Sequence, residues 1–172
     1  HMCERGYGRI AFTTSASGLY GNFGQANYGA AKAGVVGLMN VLAKEGAKFN
    51  VRVNTLAPTA ATRMTESLLP PEALELLRPE TITPGLLMLV SEDAPTKMIL
   101  GAGGGCFTET KIHETVGVAL ADEDLSPEAV MANLSRIRDT AGQTEMANAF
   151  AQTRKYARMA AELRGLPMLW NE

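Results

Sequence analysis

The stretch from Ser15 to Lys32, S-A-S-G-L-Y-G-N-F-G-Q-A-N-Y-G-A-A-K, constrains the fold of this chain more than any other part. It follows a short apolar run, Arg9–Thr14, whose β-forming residues predict a buried strand. Glycines let the backbone bend after this strand, so a loop is predicted up to Asn27. A helix is predicted from Tyr28 to about Lys48, because apolar residues recur there at helical spacing. The order strand, loop and helix is typical of an α/β fold.

Three side chains of this stretch are candidates for chemistry. Tyr28 and Lys32 stand four residues apart and therefore share one face of the predicted helix. A free phenol holds its proton at neutral pH, and a nearby cation stabilises the phenolate, which makes a tyrosine usable as an acid or base. Ser15 follows the strand, at the carboxyl end where open α/β sheets bind their ligands. Its hydroxyl could hydrogen-bond a substrate oxygen while Tyr28 moves the proton.

Buried strands and helices continue to alternate further along the chain. Strands are predicted at Phe49–Ala57 and Lys97–Leu100, and a short helix from Pro70-Pro71 to Arg78. Another helix is predicted from Thr83, with these side chains turned inward: Leu86, Leu87, Leu89 and Val90. The run Gly101–Gly105 is predicted to be a structural turn, because it lacks the third glycine of G-x-G-x-x-G and an extended segment follows it. The alternation predicts a parallel sheet.

The residues around Ser15 and Tyr28 resemble the catalytic signature of the short-chain dehydrogenase/reductase family. Ser15 stands thirteen residues before a Y-x-x-x-K motif, and the segments G-N-F-G-Q-A-N-Y-G-A-A-K-A-G and V-R-V-N-T-L-A-P extend the match. The resemblance covers nearly all of the chain, most tightly Gly8 to Thr65. Within the family, the chain is similar to the (3R)-hydroxyacyl-CoA dehydrogenase branch, which includes a domain of peroxisomal multifunctional enzymes and stand-alone bacterial proteins.

The resemblance implies a role for five residues of this chain. Tyr28 is the implied acid and base, Lys32 favours its phenolate and binds the nicotinamide ribose, and Ser15 orients the substrate oxygen. Pro58 and Thr62 would border the nicotinamide and its carboxamide. The implied cofactor is NAD or NADP, and the implied substrate is a 3-hydroxyacyl-CoA or a similar secondary alcohol or ketone. No metal site is predicted, since the two cysteines of the chain lack metal-ligand spacing.

The same resemblance implies an incomplete fold. The family's T-G-x-x-x-G-x-G and N-N-A-G segments and its catalytic asparagine have no counterpart in this chain. We therefore expect an α/β chain with a partial Rossmann-like, doubly wound parallel sheet, which holds only the last strands and carries a helical C-terminal extension. Residues 1–105 would be the second half of the dehydrogenase domain, and residues 106–172 would be the extension. The chain alone is expected to be inactive.

Two helices are predicted in the extension, after an extended segment. Ser126-Pro127 begins the first, which reaches about Asp139, and Thr144-Glu145 begins a longer one that ends at Gly165. The longer helix is predicted to have a solvated basic face, which consists of Arg154, Lys155 and Arg158.

Composition excludes several function classes. The net charge of −2 provides no basic stripe for nucleic acid and no polybasic patch for a membrane surface, so neither partner is predicted. Two cysteines cannot form a disulfide framework, and no apolar run reaches transmembrane length; a cytoplasmic location is predicted. The strand Arg9–Thr14 would lose a neighbour in a partial sheet, and its open edge is expected to be covered by a second copy, a swapped segment or an intact partner. A homo-oligomer is therefore predicted.

Two hypotheses compete with the dehydrogenase. The chain could be a non-catalytic domain that associates through its open sheet edge, and nucleotide affinity distinguishes this domain from a dehydrogenase. A Ser–Lys hydrolase that uses Ser15 and Lys32 is chemically conceivable, but it leaves Tyr28 without a role and has no oxyanion motif.

Overall fold

Helices and strands alternate through the first 110 residues of the computed structural model, which describes residues 1–63, 65–66 and 69–167. The chain divides into two units, His1–Thr110 and Lys111–Glu172. The elements of the first unit are, in order, α1 (Met2–Arg5), β1 (Gly8–Thr13), α2 (Ala16–Tyr20), α3 (Ala26–Gly46), a 3-10 turn (Ala47–Phe49), β2 (Val51–Pro58), α4 (Pro71–Leu76), a second 3-10 turn (Pro79–Ile82), α5 (Thr83–Val90), β3 (Ile99–Gly103) and β4 (Cys106–Thr110). The division into 1–105 and 106–172 stays a prediction.

Four strands form the sheet of the first unit, in the order β1-β2-β3-β4. β1 pairs in parallel with β2, from Gly8 opposite Val51 to Thr13 opposite Leu56, and β2 pairs in parallel with β3. β4 runs antiparallel to β3. The predicted α/β class and the parallel pairing of the three predicted strands are confirmed, and β4 adds an antiparallel neighbour.

Helices pack on both faces of this sheet, as a doubly wound fold requires. Because side chains of a strand alternate between faces, Val51 and Val53 of β2 point to one face and Leu56 to the other. The buried residues of α3, with Met39 at the centre, pack against the first face. Leu89 of α5 packs against the second. β2 is therefore covered on both faces and paired on both edges, which makes it the centre of the core.

A buried amide holds the neighbouring segments to β2. Asn54 has no exposed surface, and its Nδ2 donates to the carbonyls of Pro95 at 2.7 Å and Leu89 at 3.3 Å. Its Oδ1 accepts from the Met98 N–H at 3.0 Å. These three bonds fix the chain that joins α5 to β3, and they satisfy an amide that would be costly to bury alone.

A two-residue turn explains why the last strand is antiparallel. Gly104 and Gly105 have φ angles of +58° and +77°, which glycine adopts without strain and which match the turns that close β-hairpins. The turn predicted for Gly101–Gly105 is thus confirmed at its last two residues, while the first three lie in β3.

The inward direction predicted for four side chains of α5 is wrong for two of them. Leu89 is 0% exposed, but Leu87 is 61% exposed and Leu86 is 40% exposed. The helix has only eight residues, and its sheet-facing side is already occupied by Gly85 and Leu89, one turn apart. A continuous apolar run therefore does not reveal which of its members face the core.

The second unit is built from short elements. They are β5 (His113–Glu114), a 3-10 turn (Asp122–Asp124), α6 (Pro127–Ala132), α7 (Leu134–Ile137), β6 (Thr144–Glu145) and α8 (Ala149–Leu163). The helix predicted to begin at Thr144-Glu145 begins instead after Asn148, whose side chain accepts from the Ala151 N–H. Thr144 and Glu145 pair with β5. None of the described residues of this unit is buried.

An ion pair joins α8 to β5. Lys155 was predicted to lie on a solvated face, but its Nζ is 2.7 Å from Glu114 Oε1 and also donates to the Thr115 carbonyl. The Lys155 ammonium group, and then the Gln152 amide, hold the pKa of the Glu114 carboxyl below its ordinary value of 4.5.

We expect Leu89→Ala to lower the free energy of unfolding by about 2–5 kcal/mol, because it opens a cavity in the core. Leu87→Ala removes the same atoms two residues earlier on the same helix, where they are largely exposed, and should change it by less than about 0.5 kcal/mol. Urea unfolding followed by circular dichroism measures both. Equal losses in the two variants would contradict the orientation of α5.

Stability of the second unit should depend on pH through Glu114. Since the folded-state pKa is lowered, the stabilisation is present above the ordinary value of 4.5 and is lost as the pH falls through the folded-state pKa. We expect Glu114→Gln to lower the urea midpoint of α8 at pH 7, and the difference from the wild type to shrink as the pH falls below 4.5. Glu162→Gln, which breaks an exposed pair with Arg158, is the control. A wild-type advantage over Glu114→Gln that stays constant with pH would contradict the assignment.

Candidate active site

Ser15 begins a helix rather than a loop. Its Oγ accepts a hydrogen bond from the Ser17 N–H at 3.2 Å, and its backbone is extended, so it is the N-cap of α2. Serine is favoured at this position because its side chain satisfies an N–H that lacks a helical partner. The loop predicted for residues after Ser15 is therefore wrong over Ala16–Tyr20. Five residues are too few for an apolar helical period to be visible in the sequence.

Glycine brings α2 against α3. A Cβ on Gly18 would lie 2.6 Å from Lys32 Cβ and 2.8 Å from the Lys32 carbonyl carbon, so no other residue fits without a shift. A Cβ on Gly29 would lie 3.4 Å from the Ser17 carbonyl oxygen. The segment that Ser15 begins thus lies on the helix turns that carry Tyr28 and Lys32.

The Lys32 ammonium group lies between Tyr28 and the end of β1. Its Nζ is 5.7 Å from the centroid of the Tyr28 ring and donates a hydrogen bond to the Thr13 carbonyl at 2.9 Å. The Thr14 hydroxyl donates to the Lys32 carbonyl at 2.8 Å, which fixes the backbone of α3 to the same strand end. Tyr28 is 40% exposed. A phenol open to solvent and a cation beside it can exchange a proton with a bound molecule.

Pro58 and Thr62 follow the next strand. Pro58 ends β2 opposite Ala102, and the Thr59 N–H bonds the Ala102 carbonyl at 2.8 Å. Since β1 and β2 are parallel, Pro58 leaves the sheet at the edge where Ser15 and Lys32 lie. The Thr62 N–H donates to the Thr65 hydroxyl at 2.8 Å.

A cleft of about 230 Å³ lies beside these residues and was not predicted. Its lining is uncharged, and consists of Ala16, Leu19, Tyr20, Ala57, Thr59, Gly101, Ala102, Gly103, Cys106, Thr108 and Thr110. Residues 106, 108 and 110 share one face of β4, a period-two pattern that the sequence displays. That strand was predicted to be extended, but nothing in its residues indicated that it returns along β3.

Other kinds of site are absent from the described part of the chain. No group of three His, Cys, Asp or Glu side chains could hold a metal ion there. Over the same residues, no helix has both the length and the apolar character needed to cross a membrane.

Comparison with known proteins decides the family. The model of the short chain dehydrogenase family matches residues 1–73. A Mycobacterium tuberculosis protein named as a short-chain type dehydrogenase/reductase is 48% identical over 143 residues, which are 83% of this chain and 50% of that protein. Residues 1–73 belong to the short-chain dehydrogenase family. The resemblance based on Ser15, Tyr28 and Lys32 is thereby confirmed.

Two further comparisons find similarity to a multifunctional enzyme and to a reductase. The structure of full-length peroxisomal multifunctional enzyme type 2 from Drosophila melanogaster matches with a TM-score of 0.77 and 34% identity, over 88% of this chain and 28% of that one. An acetoacetyl-CoA reductase of Acinetobacter sp. is 39% identical over 120 residues, 62% of this chain and 48% of that protein. The chain spans half or less of the length of each of these three proteins.

The residues present fit the nicotinamide end of a dinucleotide cofactor. Lys32 offers an ammonium group and Tyr28 an exposed phenol at the carboxyl edge of parallel strands, where such folds bind nucleotides. Pro58 and Thr62 follow the neighbouring strand at that edge.

We expect Gly18→Ala to destabilise the chain by about 1–3 kcal/mol, because the new Cβ overlaps the backbone of Lys32. Gly34→Ala is the control: among the described residues, a Cβ there meets nothing within 4 Å beyond the nearby backbone of its own helix. Alanine in a helix interior stabilises by up to about 1 kcal/mol relative to glycine. Thermal unfolding measures both variants. A neutral Gly18→Ala would show that α2 does not rest on Lys32.

Proposed function

We propose that this chain carries the catalytic residues of an NAD(P)-dependent oxidoreductase that interconverts a 3-hydroxyacyl-CoA, or a similar secondary alcohol, and its ketone. The observation that carries the proposal is the position of the Lys32 ammonium group, 5.7 Å from the Tyr28 ring, beside the segment that Ser15 begins. Family membership supports the reaction class, and the geometry supports the residues.

Each side chain has a distinct proposed task. Tyr28 takes the proton of the substrate hydroxyl in the oxidation and returns it in the reduction. Lys32 stabilises the phenolate and binds the ribose beside the nicotinamide. The Ser15 hydroxyl orients the substrate oxygen, and Pro58 and Thr62 border the nicotinamide. When bound, NAD or NADP supplies the acceptor for the hydride.

The uncharged cleft supports an acyl thioester as the substrate class. Small apolar residues and hydroxyl groups line it, so it suits an acyl chain or the neutral part of a thioester rather than phosphate groups. The name of the Acinetobacter relative points to the same class, since that protein is an acetoacetyl-CoA reductase. The choice between NAD and NADP stays open.

We infer that the nucleotide-binding part of such an enzyme is needed for turnover, so that this chain alone is inactive. The G-rich and N-N-A-G segments that the family uses have no counterpart in the sequence. The alternative, a non-catalytic domain that associates through its open sheet edge, differs in one measurable respect: it needs no nucleotide for its function.

The cytoplasmic location and the homo-oligomer stay predictions. The Drosophila relative is a peroxisomal enzyme, whereas the Mycobacterium relative carries no such word in its name. The outward side of α3 supports self-association: Leu38 and Val41 are exposed on it. Among the described residues, a Cβ on Gly34 or Gly37 would meet nothing within 4 Å beyond the nearby backbone of α3 itself.

The proposed function can be tested by fusing this chain to the part of a relative that the chain does not match. We would fuse the N-terminal portion of the Mycobacterium relative to this chain and follow NAD reduction with 3-hydroxybutyryl-CoA. Tyr28→Phe should lower the turnover rate at least about 100-fold, as expected for loss of an acid–base group, while NADH binding by calorimetry stays within about twofold.

Tyr7→Phe is the matched control, since it removes a phenolic hydroxyl from a tyrosine that precedes β1. This variant should retain full activity. Unchanged turnover in Tyr28→Phe would refute its role. Micromolar NADH binding by the unfused chain would refute the inference that the chain alone is incomplete.

A further inference from the structure

The uncharged cleft lies on the face of the sheet against which α3 packs. Ile99 of β3 belongs to the buried cluster that contains the core residues of α3. Because side chains alternate along a strand, Gly101 and Gly103 face the same side. Cys106 and Thr108 stand opposite these glycines on β4 and share that face. β3 and β4 therefore form the floor of the cleft, and α2 lies at its side.

The cleft is narrow above β3. A Cβ on Gly101 would lie 2.6 Å from the Thr108 hydroxyl oxygen, and a Cβ on Gly103 would lie 2.7 Å from the Thr59 carbonyl oxygen. The space beside these two positions is thus limited by a hydroxyl group and by backbone. None of the lining residues carries a charge. A narrow and uncharged cleft suits an unbranched alkyl chain better than a ring or a phosphate group.

Tyr20 closes the end of the cleft that is remote from Ser15. Ala16 and Tyr20, at the two ends of α2, both line the cleft. The hydroxyl groups of Tyr20 and Thr110 share a hydrogen bond of 2.9 Å. Thr110 stands opposite Ile99, at the amino end of β3, so this bond joins α2 to the floor away from the carboxyl edge of the sheet. A chain that enters beside Ser15 would meet the Tyr20 ring.

The length of α2 sets the length of chain that fits. Ser15 precedes the five residues of α2, which at about 1.5 Å per residue places Tyr20 about 7.5 Å further along the helix axis. An extended peptide spans about 7 Å over two residues, which is about six bonds, and an extended alkyl chain has similar geometry. About six carbons therefore fit between Ser15 and Tyr20. The cleft volume of about 230 Å³ agrees with a short occupant, since sites for drug-sized ligands measure about 300–1,000 Å³.

We propose that Tyr20, held in place by Thr110, determines the chain length of the acyl group that this site accepts. The inference rests on the proposed function for its substrate class, an acyl thioester whose third carbon faces Ser15. An octanoyl group ends short of the Tyr20 ring, whereas a decanoyl group overlaps it. A longer chain enters fully only when the bond to Thr110 breaks and the ring turns outward, into the solvent to which Tyr20 is already 72% exposed.

Binding of unreactive thioesters tests this limit without a cofactor. We would titrate the 172-residue chain with the butanoyl, hexanoyl, octanoyl and decanoyl thioesters of N-acetylcysteamine, and follow the Gly101 and Gly103 amides by NMR. Burial of one methylene group tightens binding about fourfold, so the dissociation constant should fall about fourfold per methylene up to octanoyl. From octanoyl to decanoyl it should change by less than about twofold, because the added carbons stay in water.

Three variants separate the ring of Tyr20 from its hydrogen bond. Tyr20→Ala removes the ring, and decanoyl should bind to it at least about tenfold more tightly than to the wild type. Tyr20→Phe and Thr110→Val remove only the hydrogen bond, and each should tighten decanoyl binding about threefold to tenfold. Butanoyl binding should change by less than about twofold in all three variants, because this chain does not reach Tyr20.

Tyr7→Phe is the matched control, because it removes a phenolic hydroxyl from a tyrosine outside the cleft. It should reproduce the wild-type affinity at every chain length. A uniform change across all four thioesters in a Tyr20 variant would indicate a general effect on the fold and would contradict a role in chain length.

Three other results would overturn the proposal. They are unshifted Gly101 and Gly103 amides with every thioester, a wild-type affinity that rises through decanoyl as it does in Tyr20→Ala, and wild-type behaviour of both Tyr20→Phe and Thr110→Val. None of these measurements involves NADH, Tyr28 or turnover. Failure of the chain-length limit is therefore distinguishable from failure of the proposed reaction.

Discussion

The buried amide of Asn54 is the interaction on which the first unit depends. β2 is the central strand, and a polar side chain at its middle is acceptable only because all three of its hydrogen bonds are made within the fold. Loss of one would leave a buried group unsatisfied, at a cost of about 1–3 kcal/mol. The bonds hold the end of α5 and the start of β3 against β2. The amino end of β3, opposite the ligand side of the sheet, is thereby fixed by a residue that takes no part in the chemistry.

A few main-chain contacts also hold the candidate site together. Gly18 lets α2 lie against the backbone of α3, and the Thr14 hydroxyl bonds the Lys32 carbonyl. The serine-bearing and lysine-bearing segments are therefore tied through main-chain atoms, which do not depend on the protonation of the reacting groups. The Lys32 ammonium group donates to the Thr13 carbonyl, so its position depends on the end of β1 as well as on α3.

The sequence was sufficient for features encoded locally. Glycines and a following extended run predicted the turn at Gly104-Gly105, and the Y-x-x-x-K motif placed Tyr28 and Lys32 on one helix. Features that depend on contacts between residues far apart in the sequence could not be predicted. Burial of Leu89 but not Leu87 depends on where the sheet lies, and the pairing of Thr144 with β5 depends on a segment some thirty residues away. The cleft was missed for the same reason, since four separate segments line it.

The parallel pairing of β1 with β2 has a consequence for folding. Its partners are separated in sequence by the whole of α3, so the pairing has a high contact order and closes a long loop before any of its hydrogen bonds form. The hairpin of β3 and β4 needs only a two-residue turn and forms on a scale of about microseconds. During synthesis β1 leaves the ribosome before its partner exists. The apolar segment Ile10–Phe12 then lacks its strand partner until β2 is made, and unpaired apolar strands of this kind are prone to aggregation.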